Sequence, residues 1–192
     1  MAAAEKFDMI PVRDKAGFDP QPWTGNENKL PGVCENGGYF LKAGAGEKFV
    51  LGGTVVRALA SRKETNGRFS IYDVEGSSFH AAKGLTKAVE FSDVHHAIHT
   101  VEGVLKLTID GSEVKTSVFE TTFVPAGTKW SFEAESPYAR AYVFANGGGI
   151  GEILATLGTK YESVGVPQVN EAAAWEESKL KGLEKELNFT VI

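Results

Sequence analysis

A single cysteine, Cys34, excludes any intrachain disulfide, so packing and hydrogen bonding must hold the fold together. No run approaches the ~20 consecutive apolar residues of a membrane-spanning helix. The opening residues MAAAEKFDMIP contain no apolar stretch of the kind that directs secretion. A soluble, cytoplasmic protein with no membrane partner is the expectation. Positive charge is in deficit, with 20 Lys and Arg against 25 Asp and Glu and a net charge of −5. The lysines are scattered among acids rather than gathered into a stripe, which argues against a nucleic-acid partner. Internal repeats are absent. Gly147–Gly149 follows a strand-like run, but no phosphate-binding fingerprint surrounds it, and it reads as a turn.

What is present points to one mainly β domain. An apolar fraction of 42% beside 23% charged residues is ordinary for a globular chain, and 192 residues suffice to bury a core. From Tyr39 to Phe144 the runs YFLKAG, KFVLGG, TVVRALA, RFSIYDV, HHAIHTV, VLKLTID, VKTSVFE and ARAYVFAN are short and rich in β-branched and aromatic residues. Thr65-Asn66-Gly67 and Asp110-Gly111 are hairpin signals, because Asn-Gly and Asp-Gly accept positive φ at little cost. Regular short strands of this kind predict an antiparallel sandwich or barrel. Residues 1–36 show no lasting period and read as an extended arm. Its Phe18, Trp23 and Leu30 are apolar enough to pack on its own barrel or to exchange with a second subunit, giving a homodimer. The spacing of Ile150, Ile153, Leu154 and Leu157 predicts a helix over 151–158. Asn170 caps a second helix over 171–187, with Trp175, Leu180, Leu183 and Leu187 as its apolar stripe, and FTVI adds a closing strand. The expected organisation is an arm (1–36), a barrel (37–146) and a helical extension packed on it (147–192).

The stretch His95 to Gly127 reads HHAIHTVEGVLKLTIDG, then SEVKTSVFETTF, then VPAG. Val101-Glu102-Gly103 and Ile109-Asp110-Gly111 look like the strand end and hairpin of the first cupin motif. Pro125-Ala126-Gly127 looks like the Pro-x-Gly turn of the second. GEKFVLGGTVVRALASRKETNGRFSIYDV and EESKLKGLEKELNFTVI resemble the opening strands and the closing helix and strand of single-domain, quercetin-dioxygenase-like cupins. Residues 37–192 thus resemble that family, which implies a double-stranded β-helix, or jelly roll. Active members hold a divalent metal with three histidines and a glutamate. Counting from Gly103 puts His96 at the glutamate position and Val89 and Phe91 at the His-x-His positions. Counting from Pro125 puts Trp130 at the last histidine, and Phe119 replaces the leading glycine of the second motif.

Alkyl and aryl groups and the indole N–H offer no lone pair to a divalent ion. A single histidine cannot hold a catalytic metal, so no metal or other cofactor is expected. His95 and His99 share one face of a strand and His96 the other, so the histidines do not converge on a metal unless His80 swings in from its loop. The alternative for His95 and His99 is a sheet face covered by the arm or a subunit interface. The resemblance therefore implies an apolar barrel pocket with His96 as its titratable group and Val89, Phe91, Ile98, Trp130 and Tyr142 as ligand-binding residues. A neutral, desolvated His96 suits a general base; a hydrogen-bonded core histidine is the alternative. Trp130 either fills the vacated cavity or forms a stacking wall for a planar ligand. Arg57 and Asp73, on neighbouring strands, supply a charged contact or pair with each other. The function expected is a metal-independent cupin acting by proton transfer on a small aromatic or polyketide-like molecule. The alternatives are a metal-dependent quercetinase-like dioxygenase and a non-catalytic ligand-binding cupin.

Overall fold

A computed structural model of the chain describes residues 41, 44–79, 87–167 and 177–192. Its elements in chain order begin with β1 (Lys48–Leu51), β2 (Thr54–Ala60), β3 (Ser70–Gly76), β4 (Val89–Phe91), β5 (His96–Glu102) and β6 (Leu105–Ile109). They continue with β7 (Ser112–Thr116), β8 (Thr121–Val124), β9 (Lys129–Ala134), β10 (Ala139–Ala145), α1 (Ile150–Leu157), β11 (Thr159–Lys160), α2 (Glu177–Leu187) and β12 (Phe189–Val191). The strands form two antiparallel sheets, ordered β11-β1-β2-β3-β10-β5-β8 and β12-β4-β9-β6-β7. Face to face they make the jelly roll of a mainly β protein. Among the described residues no helix is long and apolar enough to cross a membrane.

Alternation places the core. On β10, Ala139, Ala141, Val143 and Ala145 point inward, while Arg140, Tyr142 and Phe144 are on the outer face. Small inward residues leave room for the bulky side chains of the facing sheet and for α1. That helix packs against β1, β2 and β3, and its Ile150, Ile153 and Leu154 join the same apolar cluster as the strands. A Cβ on Gly151 would come within 2.3 Å of the Tyr72 ring, so only glycine lets the helix approach this closely.

Asp110-Gly111 closes the β6–β7 hairpin with φ of 47° and 81°, the left-handed pair expected of an Asp-Gly turn. Asn66 and Gly67 also have positive φ, but they lie in a longer loop over 61–69 rather than a two-residue hairpin. The run VKTSVFE is strand only to Thr116 and then turns through Val118 and Phe119. Most of YFLKAG, with Asn170, Trp175, His80 and the 1–36 arm, lies outside the described residues. Leu180, Leu183 and Leu187 are the buried face of α2, and FTVI pairs with β4 as β12.

Candidate functional site

Five of the expected site residues meet at the centre of the barrel. Val89 and Phe91 face inward from β4, His96 and Ile98 from β5, and Trp130 from β9, where it is the cross-strand partner of Val89. The His96 ring lies 4.7 Å from Phe91 and 4.9 Å from Trp130, centroid to centroid. Trp130 stacks in turn on Phe132, and Phe91 on Phe189. His96 is 1% exposed and Trp130 2%, so Trp130 fills the space as core packing rather than walling an open pocket. Tyr142 does not join them. It belongs to the outer parity of β10 with Arg140, because the inner parity is needed for small side chains.

His96 has a specific structural partner. Its Nε2 accepts the backbone N–H of Ile150, the first residue of α1, at 3.2 Å. A helix leaves its first amide donors without intrahelical partners, and the imidazole satisfies one of them. Gly149 makes this possible, since a Cβ there would lie 2.4 Å from Nε2. With Nε2 accepting, the ring proton of neutral His96 is on Nδ1, which is buried and closes no hydrogen bond of ordinary geometry. Burial first, and the neighbouring His95 second, lower the His96 pKa from 6.5 to about 3; a backbone contact with Val94 works in the opposite direction. Its basic lone pair is thus committed to the helix and unavailable to a substrate in this arrangement.

The residues at the family's metal position do not fit a metal. His96 is the one side chain there with a donor lone pair, and that pair is engaged. Among the described residues no three His, Cys, Asp or Glu side chains are grouped to share an ion. His95 accepts the Ala126 N–H on Nδ1 and stacks on Phe123; His99 bonds Thr121 Oγ1 at 2.9 Å. Both lie away from the barrel centre.

The outer face of the larger sheet carries the polar chemistry. Cross-strand register aligns Lys48, Arg57, Asp73, Tyr142, His99 and Thr121 in one row. Asp73, with its side chain fully buried, takes the Arg57 guanidinium through Nη2 and Arg140 in bidentate fashion at 2.8 and 2.7 Å. Arg57 also donates to the Ala45 carbonyl at 3.3 Å, and its Nε closes no hydrogen bond. The hydrogen bond to Asp73 drives Arg140 deeper into its cationic range. Beside them the Tyr138 hydroxyl donates to Glu75 at 3.0 Å, and burial followed by the Glu75 charge keeps the phenol protonated. Above this floor is an open groove of about 940 Å³. The Arg57–Asp73 pair is the one expected of neighbouring strands; that Arg140 shares the same carboxylate depends on the pairing of β3 with β10.

No family model matches the chain. It is 26% identical over 125 residues to quercetin 2,3-dioxygenase of Bacillus subtilis, a match covering 65% of this chain and 36% of that protein. The chain therefore spans about a third of the length of this curated relative. Similar solved structures include KdgF from Halomonas (12% identical, 59% of this chain and 96% of that one, TM-score 0.49). Others are the cupin domain of Schizosaccharomyces pombe Cnp3 (17%, 57% and 73%, 0.44) and ectoine synthase from P. lautus (18%, 54% and 71%, 0.44).

Proposed function

We propose that this chain is a metal-independent cupin, a reading that the similarity to the Bacillus protein supports, and that it binds a small aromatic or polyketide-like molecule and uses its barrel centre as structural core. The observation carrying this reading is the sealed cluster of Val89, Phe91, Trp130 and His96, with Nε2 of His96 bonded to Ile150. The aromatic class rests on the relative, whose name specifies quercetin. A dioxygenase requires metal ligands that the four positions lack. Elemental analysis of purified protein tests this: far less than one Fe, Ni, Mn, Cu or Zn per chain is expected. Near one per chain, lost on His96→Gln, would overturn it.

One observation favours a second reading, proton transfer by His96. Its buried Nδ1–H closes no hydrogen bond of ordinary geometry beyond a backbone contact with Val94, so a ligand could complete it, and Nε2 could take a proton only after releasing the Ile150 N–H. If His96 is a base, His96→Gln should lower turnover of an aromatic substrate by roughly 10²–10⁴-fold with the fold intact. If it is a structural residue, the same change lowers the melting temperature and leaves the rate per folded molecule unaltered. We also propose a homodimer in the cytoplasm; sedimentation of a monomer at micromolar concentration would contradict the dimer.

A further inference from the structure

We propose that the groove on the outer face of the larger sheet, outside the barrel, is a binding site for a planar aromatic anion, a ring system bearing a carboxylate or phenolate. This rests on the reading that the chain binds a small aromatic molecule, and it places that molecule where the barrel centre cannot.

The groove is bounded by described residues of β1, β2, β3 and β10, with Val164 and Gly165 on one side. Its size, about 940 Å³, is at the upper end of small-molecule sites, which run from roughly 300 to 1,000 Å³. Its charged lining is three cations, Lys48, Arg57 and Arg140, against one carboxylate, Glu75. Glu75 accepts the Tyr138 hydroxyl and keeps its charge, so with Asp73 the balance is three cations against two carboxylates, one positive charge in excess. Asp73 lies beneath the floor and is shared by two guanidinium groups. Arg57 is itself more than nine-tenths buried and its Nε is closed off from the groove, so the guanidinium that faces a ligand is Arg140, about a quarter exposed, with Nε and Nη2 on Asp73 and Nη1 left over. A guanidinium with donors left over, held rigid by a buried carboxylate, is organised to receive a planar anion.

The walls supply the rest of the recognition. The Arg140 guanidinium sits 5.7 Å from the Tyr142 ring centroid, so a cation and an aromatic face lie side by side. Tyr142 is half-buried, and its hydroxyl closes no hydrogen bond among the described residues. Val55 and Leu59 add apolar surface along β2. An aromatic ring seated over Tyr142 would bring an acidic substituent to Arg140. A neutral ring of the same shape would leave its free donor without an acceptor.

The test is calorimetric titration of the full-length protein with 2-hydroxybenzoate, with 2-hydroxybenzamide as the uncharged control. The carboxylate should bind at least 10-fold more tightly than the amide. Arg140→Gln should weaken the carboxylate at least 10-fold and leave the amide nearly unaffected. Tyr142→Ala, which removes the aromatic face and leaves Asp73 in place, should weaken it several-fold and decides the matter if Arg140→Gln does not fold. Equal binding of acid and amide, or full binding by both variants, would overturn the site. So would the absence of binding at millimolar concentration, the result expected if protein fills the groove. Each of these leaves the metal content of the barrel untouched, while absence of binding by both compounds counts also against the aromatic ligand of the reading above.

Discussion

His96 should make the stability of this protein depend on pH in a way that one substitution removes. In the unfolded chain its imidazole titrates near 6.5, while in the folded protein burial holds it down to about 3. Between those values the unfolded state binds a proton that the folded state refuses. Stability from this group is therefore complete above pH ~7 and falls as the solution is acidified. The two-state linkage relation gives a loss of about 2 kcal/mol between pH 7 and pH 5. That figure hardly changes if the folded value is one unit higher, because at pH 5 the folded imidazole is still mostly neutral. Urea unfolding at the two pH values reads it as a shift in midpoint with an unchanged slope. Other groups contribute to the pH dependence as well, so the informative quantity is the difference between the native protein and His96→Gln. Glutamine can still accept the Ile150 N–H through its amide oxygen, but it carries no titrating nitrogen. The native protein should lose about 2 kcal/mol more than the variant on going from pH 7 to pH 5. Equal losses would refute the reasoning, since His96 would then be solvated or charged in the folded state.

Gly149→Ala should destabilise the protein by about 1–3 kcal/mol, measured by urea midpoint, because its Cβ would collide with His96 Nε2 and the Ala145 side chain. A neutral outcome would mean that α1 can shift away from His96. Trp130→Ala should cost about 3–5 kcal/mol by the same assay, as removal of a fully packed indole leaves a cavity at the barrel centre. A small loss would mean that the centre is not tightly packed. Phe119→Gly should stabilise the chain by about 0.5–1 kcal/mol, because Phe119 is held at φ 68° while 80% exposed and so has strain to lose and little packing. A lower melting temperature for this variant would show that the phenyl ring has a partner.

The barrel centre was readable from motif spacing because the relevant distances are local. Gly103 ends β5, the strand that His96 begins, and Pro125-Ala126-Gly127 sets the start of β9 just before Trp130. Counting from such turns brings out which side chains share the interior. Phe119 illustrates the limit of counting. It stands where the family has glycine, and the backbone keeps the left-handed conformation that glycine would adopt freely. Tyr142 is on the outer face because β10 has two parities, and the choice between them is made by what packs against the strand, α1 and the facing sheet, rather than by the strand's own sequence. The glycine run 147–149 read as a turn, yet Gly149 is there to let His96 reach α1 across 54 residues. Nothing local signals that bond. Arg140 likewise joins Arg57 and Asp73 only through the register of β3 with β10.

The bond between His96 and α1 has a consequence for the mutational neighbourhood of this barrel. A metal centre needs about three protein ligands, so His96 would have to release the helix and at least two of Val89, Phe91 and Trp130 would have to change. Made singly, each change puts a polar group into a dry, ring-packed interior with nothing to satisfy it, at about 1–3 kcal/mol apiece before any lost packing. A domain with only about 5–15 kcal/mol of folding free energy cannot carry several such intermediates in sequence. Releasing α1 would also loosen the Ile150, Ile153 and Leu154 face that closes the core under β1–β3. Single substitutions toward a metal site at the barrel centre thus each carry a stability cost, whereas on the outer sheet face a side chain can change without disturbing the core.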